Sequence, residues 1–85
     1  MPNTYFLCND AAAANSLDAL GDPGFTAPPD RPHRSGLFTA GLNTGKLIWE
    51  GYVAASVVTT PPAGCVVKTL AESQAISNTN PSWPN

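Results

Sequence analysis

Charge is the scarcest property of this chain. Only 12% of its 85 residues are Asp, Glu, Lys or Arg, about half the share of an ordinary soluble domain. Six acids against four bases leave a formal net charge of −2, and Lys and Arg form no cluster. No nucleic-acid partner is therefore expected, because affinity for the phosphate backbone is carried by basic patches. Apolar runs are short too. The longest weakly polar stretch, residues 51–60, falls well below the ~20 residues of a membrane-spanning helix, so no membrane partner is expected. Two cysteines and one histidine are too few for the usual four-ligand zinc site, and no calcium-loop pattern occurs. The N-terminus has no basic region followed by a signal-length apolar run, which predicts synthesis in a cytoplasm.

What remains is 42% hydrophobic residues, seven glycines and nine prolines. That composition suits one small packed domain, and a core this size is marginal without a bridge, a metal or a partner surface. Cys8 and Cys65 allow one disulfide at most. Both lie in apolar, strand-like contexts, so two buried reduced thiols are the favoured reading and a bridge the alternative.

Residues 4–8, Thr-Tyr-Phe-Leu-Cys, read as a buried strand. Asn9 or Asp10 can cap a helix over residues 11–20, with Ala13, Leu17 and Leu20 on one face and Gly21 at its end. Residues 25–35 read as an extended proline-rich loop that holds both arginines and the only histidine. From Gly36 onward the pattern predicts strands. Residues 37–42 lead through a turn at Asn43-Thr44-Gly45 into a long strand over 46–60, bent at Gly51, and a returning strand begins at Cys65. This gives a three-stranded meander over 36–70. The predicted fold class is mainly β, a small antiparallel sheet or sandwich-like body over residues 1–76 with one short N-terminal helix. Residues 71–76 are either a strand end or one helical turn, and residues 77–85 are an extended C-terminal arm.

Chemistry-bearing constellations are sparse. Asp30 and His33 have a spacing common in turns, and nucleophilic catalysis needs a positioned base and an orienting acid beside a nucleophile. A solvated loop histidine is the default, so no catalytic residue is assigned. No cofactor, metal or small-molecule substrate is expected. Asp10, Asp18 and Asp22 read as residues that cap or flank the helix. Pro29, Pro32 and Arg34 match the P-x-x-P-x-R spacing of peptides that dock proline-reading grooves, while an ordered structural loop is the simpler reading. Trp49 falls on the apolar face of the long strand and Tyr52 on the mixed face. Trp83, in an otherwise polar tail between Pro81 and Pro84, reads as an anchor. The candidate protein-contact residues are therefore Phe25, Pro29, Arg31, Pro32, Arg34, Tyr52 and Trp83.

The strand and Ala-rich stretch from Tyr5 to Leu20, the meander from Leu37 to Leu70 and the arm from Ser77 to Asn85 together resemble small phage virion proteins. The type is the capsid decoration or cement protein. The resemblance implies a non-enzymatic homo-oligomer, a trimer by preference, seated on major capsid protein in the virion and stabilising the capsid. Tail, neck and spike components share the style. A small adaptor that displays its proline-rich loop is the alternative from another class.

Overall fold

The computed structural model describes residues 3–78. Three short strands form one antiparallel sheet: β1 (Thr4–Cys8), β2 (Leu47–Gly51) and β3 (Cys65–Lys68), in the order β2-β1-β3. β1 is central because it is apolar on both sides. Phe6 and Cys8 face one layer while Tyr5 and Leu7 face the other, and all four are buried. A strand buried on both faces reads as a continuous apolar run rather than an alternation.

On the first face lies α1 (Ala11–Leu20). Asp10 caps it, its Oδ1 accepting from the Ala13 amide at 2.9 Å. Ala13, Ala14 and Leu17 pack onto Phe6, Cys8, Leu47, Trp49 and Cys65. Val57 of α2 (Ala55–Thr59) joins the same core together with Val53. On the second face, Tyr5, Leu7, Phe38 and Ile48 form another buried group, against which Leu70 and Ile76 of α3 (Leu70–Asn78) pack. α3 opens with a capping box. The Thr69 hydroxyl accepts from the Glu72 amide at 3.0 Å, and the Glu72 carboxylate accepts from the Thr69 amide at 2.9 Å.

The small antiparallel sheet is therefore present, but the chain is mixed α and β, with more residues in helices than in strands. The meander over 36–70 is corrected. β2 and β3 do not pair with each other; each pairs with β1. Residues 37–42 form no strand, and the long strand stops at Gly51, followed by α2. A Cβ at Gly51 would stand 2.5 Å from the Trp49 indole, so the indole lies directly over a glycine and the chain turns away there. Leu20 is exposed, with Ala14 taking the buried place. Ser77 and Asn78 close α3 rather than opening an arm. The remainder of the arm, 79–85, lies outside the described residues.

The proline-rich segment does not project from the body. Residues 33–35 run along the outer edge of β2, where the Glu50 amide donates to the His33 carbonyl and the Ser35 amide to the Ile48 carbonyl, both at 2.9 Å. Arg34 and Trp49 form a β-bridge. That edge is covered, whereas no described residue pairs with the outer edge of β3.

Candidate functional site

Where α1 ends, the proline-rich segment begins and β2 terminates, three chain segments enclose a cleft of about 260 Å³. Its aromatic wall is a chain of four rings. The Trp49 indole meets the His33 imidazole edge-on at a centroid distance of 5.0 Å. His33 meets Phe25 at 5.4 Å. Phe25 meets Tyr52 at 5.1 Å with planes 85° apart. Strand alternation would send Trp49 and Tyr52 to opposite faces. Because β2 stops at Gly51, both line the same cleft.

Asp18 and Asp22, four residues apart at the end of α1, supply carboxylates to the cleft. Asp18 holds the site together. Its Oδ1 accepts from Trp49 Nε1 at 2.8 Å and faces His33 Nε2 at 3.0 Å, and its Oδ2 accepts from an Arg34 guanidinium nitrogen at 2.8 Å. Burial alone would raise this carboxyl. The hydrogen bonds from Trp49, His33 and Arg34, with the Arg34 charge, outweigh it and hold Asp18 below the usual carboxylate range. A carboxylate opposite Nε2 assigns the hydrogen to that nitrogen. His33 Nδ1 is buried and has no hydrogen-bond partner among the described residues. Asp22 is fixed by its backbone: its amide donates to the Tyr52 carbonyl at 2.9 Å, and its Oδ1 accepts from the Gly24 amide at 2.7 Å. The Phe25 amide in turn donates to the Asp22 carbonyl.

Of the contact residues expected from sequence, Phe25 and Tyr52 are brought together in this cleft. Pro29 and Pro32 are exposed on the loop between. Arg31 lies elsewhere, against β2, where Nε donates to Glu50 Oε1 at 2.9 Å and a terminal nitrogen to Oε2 at 3.3 Å. Arg34 spends its guanidinium on Asp18 and on the Asn15 side-chain carbonyl. Both arginines thus tie the proline-rich segment to the body. Trp83 lies outside the described residues.

Asp18, Asp22, His33 and Trp49 are site residues that the sequence reading assigned to capping, loop or core. The available signal was the i, i+4 pair of acids at a helix end, followed at once by Phe25 in an irregular segment. Among the described residues the cleft lining offers aromatic faces, two carboxylates and one imidazole, and no serine, threonine or cysteine. Cys8 and Cys65 stand opposite one another across β1 and β3, buried as free thiols, and neither lines the cleft. Comparison with protein-family models, with curated proteins and with solved structures finds no match.

Proposed function

We propose that this chain is a non-enzymatic structural protein that binds a larger protein assembly. The assembly is a viral capsid, and the chain sits as a decoration or cement protein at junctions between major-capsid subunits. The observation that carries this reading is Leu42. Its side chain is 95% exposed on a loop whose base is closed by backbone hydrogen bonds. The Phe38 amide donates to the Lys46 carbonyl at 2.9 Å, and the Gly45 amide to the Phe38 carbonyl at 2.8 Å. The Thr44 hydroxyl donates to the Gly41 carbonyl at 2.7 Å. A leucine held in solvent by an ordered loop forgoes burial energy that a partner surface would recover.

Other apolar side chains support the same reading. Leu37, at the foot of that loop, is half exposed, and Val66 and Val67 are exposed on β3, the strand with an open edge. Interface cores are poor in charge, and this chain has little to place there. The mechanism is mass action: a protein that binds the assembled lattice and not free subunits stabilises the lattice by an amount that grows with the logarithm of its free concentration above Kd. The isolated chain associates into a trimer through Val66 and Val67 at the open edge of β3, which leaves Leu42 for the capsid. Sedimentation velocity should show a species three times the chain mass, moving toward the monomer in the V66T/V67T double variant with an unchanged circular dichroism spectrum. A wild-type chain that remains monomeric at high concentration overturns the trimer.

A further inference from the structure

The cleft beside α1 carries a second binding function, independent of the apolar loop. We infer that it is a receptor for a quaternary or methylated ammonium group, held against Phe25, His33 and Tyr52, with the buried Trp49 indole behind them and Asp22 supplying the countercharge. Three observations select this chemistry. The four rings stand in a continuous series with centroids 5.0–5.4 Å apart, and aromatic faces attract cations most when the cation is poorly hydrated. The lining carries two carboxylates and no Lys or Arg; Arg34 offsets Asp18 from outside it, and Asp22, which makes no ion pair among the described residues, leaves the cleft a negative charge that disfavours anions. The volume, about 260 Å³, falls just below the ~300 Å³ at which sites for drug-sized molecules begin, so it suits a headgroup or the end of a side chain.

Hydration separates an alkylated ammonium from a primary one. Asp18 already serves Trp49, His33 and Arg34, and one Asp22 oxygen serves the Gly24 amide. An –NH₃⁺ group is strongly hydrated and would have to give up that water at a largely aromatic wall. A trimethylammonium group has no N–H donors and loses little on leaving water. The same headgroup could come from a choline-like molecule or from a trimethylated lysine on a protein.

The test uses the full chain labelled with ¹⁵N, following the indole N–H signal of Trp49 with the Trp83 signal assigned by W83F. Tetramethylammonium chloride should shift the Trp49 signal saturably. The neutral isostere 3,3-dimethylbutanol and the primary amine N-acetyl-lysine amide should each bind at least about tenfold more weakly. F25L and Y52L keep an apolar side chain and remove a ring face; each should weaken tetramethylammonium binding about tenfold while the rest of the spectrum stays folded. Choline and an N-acetyl-trimethyllysine amide form the two further arms, and the tighter of them assigns the source. Absence of a saturable Trp49 shift, or equal binding of the isostere or the primary amine, overturns the proposal. Unchanged affinity in both F25L and Y52L overturns it as well.

Discussion

Glu50 is a carboxylate with no exposed side-chain surface, and it lies on a strand of only five residues. Such a charge is tolerated only when its lone pairs are filled and its charge is matched. Arg31 supplies a two-pronged pair and Asn3 Nδ2 a further bond to Oε2 at 2.8 Å. The Arg31 guanidinium is held more basic by the Glu50 hydrogen bond and charge, against the opposing effect of its burial. R31A leaves the carboxylate uncompensated and should cost about 3–5 kcal/mol, a large part of a small domain's stability, measured as a fall in the urea midpoint. R31M/E50L, which removes both charges, should cost much less. Equal losses in the single and double variants would contradict this account of the pair. The thiols are a second case of burial setting chemistry. Burial first, and then the neighbouring Cys65, pushes the Cys8 thiol up to about 12, and burial also raises Cys65. Iodoacetamide at pH 8 should therefore modify neither cysteine until denaturant is added. Because the folded values are raised, the associated stability is complete below the ordinary thiol value of about 8.5 and is lost as pH climbs toward 12. Rapid alkylation of the native chain would contradict it.

Individual elements were legible where local chemistry and packing agree. β1 carries a continuous apolar run, α1 has Asp10 at its N-cap, and β3 returns from a turn at Gly64, whose φ of +82° favours glycine. Residues 52–60 misled, because Tyr52, Val53, Val57 and Val58 favour strand on propensity. The fold instead places Val57 in α2 and buries it with Val53, which precedes that helix, in one core; a run this short does not tell helix from strand. The meander failed for a related reason: sequence neighbours were paired, whereas the strand apolar on both faces took the centre. Residues 71–76 read only as a strand end or one helical turn, shorter than α3 (Leu70–Asn78), because Leu70 and Ile76 give little apolar stripe, although Thr69-x-x-Glu72 is a capping box. That box is testable. T69A removes the acceptor for the Glu72 amide and should cost about 1 kcal/mol, seen in the denaturation midpoint. The Glu72 carboxyl lies below its ordinary range, chiefly through the Thr69 backbone hydrogen bond. The cap's contribution is therefore present above that range and fades as pH falls through it. A T69A variant as stable as the parent would show that α3 does not depend on the box. The cleft was harder to read than any element. Phe25 and Tyr52 were singled out, but Asp18, His33 and Trp49 each have an ordinary local role and become a site only when three distant segments converge.

For the whole molecule, scarcity of charge acquires a location. Charged groups gather where the proline-rich segment is tied down, at Arg31 with Glu50 and at Arg34 with Asp18. Apolar side chains stand outward at Leu37, Leu42, Val66 and Val67. The sheet is sandwiched between α1 and α2 on one face and α3 on the other, and among the described residues the 38–46 loop and the open edge of β3 stay uncovered. In the proposed function a capsid covers the loop. The most direct measurement of that contact is the copy number of this chain, counted by quantitative mass spectrometry, on particles banded in a density gradient from cells that produce it, for the wild type and for L42S. The account predicts a fixed number of copies per capsid for the wild type and a severalfold loss for L42S with the particle intact. Particles without the chain, or occupancy unchanged by L42S, would contradict it.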